Sequence, residues 1–91
     1  MSVEWLFDVI RDRKNNPSEK SYTSNLFQEG LPKIAQKVGE EGTEVVVAAL
    51  AQDDQRLIEE VADLTYHTLV LLAARGLTPA QVVSELEKRH K

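Results

Sequence analysis

Apolar residues recur at helical spacing along most of the chain, and breaks in that rhythm divide it into elements. Val3, Leu6, Phe7 and Ile10 form one stripe, predicting a helix over residues 3–13. Asn15-Asn16-Pro17-Ser18 ends it. Residues 18–30 carry the polar run Ser21-Tyr22-Thr23-Ser24-Asn25 and read as a loop with a short helical turn around Leu26-Phe27. Gly30-Leu31-Pro32 opens a long helix reaching about Ala51, with Pro32 suited to the first turn. Gln52-Asp53-Asp54-Gln55 is a tight connection, with Asp54 as the expected N-cap. The next helix runs from about Arg56 to Arg75 and stops at Gly76. Thr78-Pro79 then supplies N-cap and first position for a last helix ending near Arg89. Lys88, Arg89, His90 and Lys91 complement the dipole at its C-terminus. The pattern predicts an all-α bundle of four to five helices.

Two stretches, Val45–Ala51 and Leu69–Ala74, are apolar all the way round. A helix hydrophobic on every side is buried on every side, and a chain of 91 residues with so few helices has little to cover two of them. The expectation is a homodimer, with a higher oligomer open. The alternative leaves the small alanine faces partly exposed.

Composition narrows the class. Residues 1–91 suffice for a single domain, and 42% hydrophobic content supports a globular core. The absence of cysteine excludes disulfides and thiolate metal sites. A net charge of −4 argues against general affinity for nucleic acid. No apolar run approaches the ~20 residues that cross a bilayer. The start, Met1-Ser2-Val3-Glu4-Trp5, lacks the basic region of a signal peptide, so a cytoplasmic protein without membrane partners is expected.

The candidate chemistry lies in the acids. Glu40, Glu41 and Glu44 read as E-E-x-x-E, and after a gap of fifteen residues Glu60 and Asp63 read as E-x-x-D. Acids at such spacings share a helix face. If the two long helices form an antiparallel hairpin about Asp53-Asp54, Glu44 and Asp63 lie level, ~14 Å from the turn at ~1.5 Å per residue. Glu41 and Glu60 then lie one turn to either side. No Lys or Arg balances the pattern, so such a cluster calls for a divalent cation, with Mg²⁺ or Mn²⁺ favoured by oxygen ligands. Solvated surface acids are the bland alternative, weakened by the apolar neighbours of Glu44 and Asp63. His67, four residues after Asp63, suggests iron or zinc, but no Glu-x-x-His pair accompanies it, and a core histidine is the simpler reading. Lys33 and Lys37 precede the acids on the same helix and suit phosphate oxygens, although Lys37 could simply pair with Glu41. The hydroxyls of Ser21, Tyr22 and Thr23 could serve phosphate or ribose, or belong to an ordinary loop.

These blocks together resemble a known family. The acid signature is similar to that of the all-α, MazG-like nucleoside triphosphate pyrophosphohydrolases. S-Y-T-S-N-L-F at 21–27, K-I-A-Q-K-V-G-E-E at 33–41, and the segments 57–67 and 71–77 narrow the resemblance to phosphoribosyl-ATP pyrophosphatases. That resemblance implies a MazG-like bundle completed by dimerisation. It also implies Mg²⁺-dependent hydrolysis of 1-(5-phosphoribosyl)-ATP to 1-(5-phosphoribosyl)-AMP and pyrophosphate, the second step of histidine biosynthesis. Glu41, Glu44, Glu60 and Asp63 would hold the metal, and Glu40 would be a further ligand or orient the attacking water. Lys37, with Lys33, would contact the leaving pyrophosphate. House-cleaning hydrolysis of ordinary or damaged nucleotides shares the acids but gives no reason for the S-Y-T block. A non-catalytic dimerisation module would show no Mg²⁺ dependence. Gly42, inside the motif helix, is expected to permit close approach of a helix or ligand.

Overall fold

Caps and breaks set the helices observed in the structure, a computed structural model that describes residues 1–90. Lys91, one of the expected dipole-complementing residues, lies outside the described residues. Helix α1 spans Val3–Asn15, and the Ser2 hydroxyl accepts the Trp5 N–H at its start. Helix α2 spans Tyr22–Glu29, α3 Leu31–Ala51, α4 Asp54–Ala74 and α5 Pro79–Arg89. No strand occurs among the described residues, so the all-α expectation holds.

Three local expectations need correction. Residues 22–29 form a full helix where a loop with only a short helical turn around Leu26-Phe27 was expected. The Ser21 hydroxyl caps it by accepting the Ser24 N–H at 3.1 Å. The polar residues that argued for a loop are satisfied internally: the Ser24 hydroxyl donates to the Arg13 carbonyl at 2.9 Å and accepts the Ser18 N–H. The N-cap of α4 is Asp53, which accepts the Arg56 N–H at 2.9 Å, so Asp54 is already helical. Val3, expected in the α1 stripe, is 47% exposed, whereas Phe7 and Ile10 are buried.

Glycine matters at two junctions. Gly30, at φ 97°, lets α2 turn directly into α3. Gly76, at φ 70°, follows α4, and the bonds Leu77 N–H to Leu72 O and Gly76 N–H to Ala73 O form a Schellman close. Among the described residues nothing outside its own helix lies within 4 Å of the position a Cβ would take at Gly42, so the close approach expected there is not made by them.

Helices α3 and α4 form the principal hairpin, and α1 and α2 pack against its open end. The core lies there, built from Phe7, Ile10, Leu26, Ile34, Leu69, Val70 and Ala73. The turn end of the hairpin has no cover. Val46, Val47, Leu50, Ile58 and Val61 are all exposed on it, Leu50 to 83%. Helix α5 buries no residue and leaves Val82, Val83 and Leu86 exposed. Among the described residues no single helix is long and apolar enough to cross a membrane.

Candidate metal centre

The acids gather where α3 and α4 run side by side, between the core and the open turn. Glu41 from α3 and Glu60 and Asp63 from α4 each place one oxygen so that all lie within 4.8 Å of one another. Glu41 and Glu60 are buried, at 8% and 4% exposure, and Asp63 is exposed. Glu44 joins through Glu60. The proton affinity of Glu60 is raised, first by the Glu44 carboxyl close enough to share a proton with it, then by burial and by the charges of Glu44 and Asp63, against the lowering pull of Arg56. The spacing estimate set Glu44 level with Asp63. Here Glu44 neighbours Glu60, with which it lines one cleft, and Asp53 rather than Asp54 is the cap.

Oε2 of Glu41 and Oε2 of Glu60 are buried without a hydrogen-bond partner. Two such oxygens in a converging, all-oxygen set fit a hard divalent cation and fit little else.

The expectation of no balancing base is also corrected. Arg56, one turn before Glu60, donates from Nη2 to Glu60 Oε1 at 2.5 Å and from Nη1 to Glu59 Oε1 at 2.6 Å. Its i, i+4 spacing from Glu60 was a readable signal.

His67 is buried between the acids and α2. Its Nδ1 lies 2.9 Å from the Asp63 carbonyl oxygen, which can only accept, so Nδ1 carries the proton. Nε2 is hydrogen-bonded to the Tyr22 hydroxyl at 2.8 Å. With both nitrogens engaged it stands outside the converging acids, as a core histidine, and Glu41 Oε1 lies 3.6 Å from Nδ1. Thr23 is buried and hydrogen-bonded to the Tyr66 hydroxyl. Tyr66 had no assigned role in the sequence, because its partner lies 43 residues away.

The other predicted residues spread around this centre. Tyr22 is 52% exposed, with burial of its hydroxyl raising its pKa and nearby Lys37 lowering it. Lys37 is half-buried and forms no ion pair among the described residues, so the pairing with Glu41 is not made. Lys33 is exposed one turn before it. Glu40 is exposed, and Gln36 Nε2 donates to it at 2.7 Å. Ser21 Oγ is engaged in the α2 cap.

Residues 3–90 match the family model described as phosphoribosyl-ATP pyrophosphohydrolase. A protein of Lacticaseibacillus casei named phosphoribosyl-ATP pyrophosphatase is 54% identical over 88 residues, 97% of this chain and 80% of that one. A protein of the same name from Pyrobaculum calidifontis is 53% identical over 98% of this chain and 95% of its own. One from Clostridium botulinum is 47% identical over 98% and 81%. The chain belongs to the phosphoribosyl-ATP pyrophosphohydrolase family.

Proposed function

We propose that this chain, as a member of that family, hydrolyses 1-(5-phosphoribosyl)-ATP to 1-(5-phosphoribosyl)-AMP and pyrophosphate, in the cytoplasm, as the second step of histidine biosynthesis. The observation that carries the reading is the convergence of Glu41, Glu60 and Asp63 with two unpaired buried oxygens. It stands in a chain about half identical to relatives bearing the enzyme's name.

Glu41, Glu44, Glu60 and Asp63 would hold Mg²⁺, or Mn²⁺ in its place. A bound divalent ion supplies neutralisation of the leaving pyrophosphate and polarises the reacting groups. Water adds to the α phosphorus, the bond from that phosphorus to the bridging oxygen breaks, the oxygen and the electron pair leave with pyrophosphate, and the proton of the water passes to a carboxylate of the cluster or to solvent. Glu40 is exposed beside the cluster and orients that water or adds a further ligand. Lys37, half-buried and free of carboxylate partners, meets the negative charge gathering on the leaving group. Lys33 extends that basic edge by one turn. Tyr22, half-exposed, contributes its ring to the substrate, and Ser21 at the cap of α2 and Thr23 in its first turn support it.

The open turn end of the α3–α4 hairpin supports a homodimer in which a second copy covers Leu50, Ile58 and their neighbours.

Pyrophosphate release from phosphoribosyl-ATP, and in parallel from ATP and deoxynucleoside triphosphates, with Mg²⁺ or with EDTA, tests the reading. Rapid Mg²⁺-dependent release from phosphoribosyl-ATP alone is expected. Preference for ordinary triphosphates would overturn the substrate assignment, and release undiminished by EDTA would overturn the metal.

A further inference from the structure

We infer that Arg56 is the built-in counter-cation of the acidic centre, and that its guanidinium and a divalent ion exchange on Glu60. This rests on the metal reading above.

Glu60 is the acid with least freedom, since its side chain is 5% exposed and cannot leave the α3–α4 seam. Its two oxygens are treated differently: Oε1 accepts from Arg56 at 2.5 Å, while Oε2 is buried with no partner. The guanidinium is the mobile party, because the Arg56 side chain is 49% exposed. It borders a cleft of about 240 Å³ that Glu44 and Glu60 also line. A guanidinium there compensates one buried charge when the centre is empty. The same charge opposes a divalent ion arriving a few ångströms away and occupies an oxygen that the ion could use.

Arg56 has somewhere to go. Its Nη1 already holds Glu59 Oε1 at 2.6 Å, and Glu59 points outward with 45% of its side chain exposed. Releasing Glu60 costs one charged hydrogen bond at a half-exposed group while the other is kept. Glu59 is thus the refuge that makes exchange inexpensive, and Arg56 sets metal affinity below what the bare carboxylates would give. The pair also keeps the metal-free centre folded.

The test is Mn²⁺ binding to the intact protein without substrate, read from the electron paramagnetic resonance of the free ion. Arg56→Gln is expected to bind Mn²⁺ about two- to fivefold more tightly than wild type, the range set by partly exposed ion pairs. Glu59→Gln, which removes the refuge, should bind it more weakly. Metal-free Arg56→Gln should melt below wild type, with the difference closing at saturating Mn²⁺. Equal or weaker binding by Arg56→Gln, in a wild type that binds Mn²⁺ through Glu60 as judged by Glu60→Gln, overturns the exchange and leaves the metal centre standing. No Mn²⁺ binding by wild type or either variant overturns both.

Discussion

An unpaired carboxylate oxygen inside a protein destabilises the fold unless something binds it, and Glu41 and Glu60, two members of the same acid cluster, each present one. Function explains why they persist. Replacing Glu41 or Asp63 by the isosteric amide keeps size and helix propensity but removes a charge the cation needs. Turnover of phosphoribosyl-ATP should fall by orders of magnitude in each variant while circular dichroism stays helical; full activity in both would remove these residues from the centre. The raised proton affinity of Glu60 adds a pH signature. A carboxyl with a folded pKa above its unfolded value binds protons more tightly when folded, so its stabilising share is present at low pH and is lost as pH rises through the raised value. The metal-free protein should therefore lose melting temperature as pH rises upward from the ordinary carboxylate value of 4.5, and Glu60→Gln should lack that part of the slope. Mg²⁺ should restore the loss, because the deprotonated form is the one that binds it. A metal-free slope identical in Glu60→Gln would refute the assignment to Glu60.

Among the elements, α2 separates structural from catalytic use of hydroxyls. The Ser21 hydroxyl caps the helix, so Ser21→Ala should cost about 1 kcal/mol of stability in denaturant titration, and Ser21→Asp should recover it. A rise in KM for Ser21→Ala alone, with stability unchanged, would instead mean that the hydroxyl serves substrate. Helix α2 also shows what a sequence cannot display. Ser24 and Thr23 read as loop residues because their partners, the Arg13 carbonyl and the Tyr66 hydroxyl, are visible only after folding. Helices α3 and α4 were legible because apolar periodicity, Pro32 and Gly76 agreed about where they lie. The acid spacing was legible for Glu41, Glu60 and Asp63, which converge, whereas the choice between two adjacent aspartates as the cap of α4 was not, because either can accept the first-turn N–H. Arg56 lies outside the acid motif and so carries no signal from it, although one helical turn leads from Glu60 to it.

For the whole molecule, the distribution of apolar surface decides the argument. Core residues collect at the α1–α2 end, and the turn end of the hairpin displays Leu50 at 83%, Ile58 at 62% and Val46 at 56% exposure. The α3–α4 seam itself buries Ala48 beyond the acids, so nothing in one chain can cover the faces pointing away from it. A second copy laid across them would bury this surface on both sides at once through a self-complementary contact. It would also seal the acidic centre, which lies between the core and that face, from one more direction. Sedimentation of the wild type should then give about twice the chain mass of 10.2 kDa, with a melting temperature that rises with protein concentration. Leu50→Glu should shift it to the monomer, because a carboxylate placed in that interface has no partner to replace water. Val83→Glu on α5 should leave the dimer intact, since that helix lies at the other end of the bundle's contact pattern. Dissociation by Val83→Glu but not by Leu50→Glu would move the interface to α5, and a monomeric wild type would leave the hairpin tip without its proposed partner.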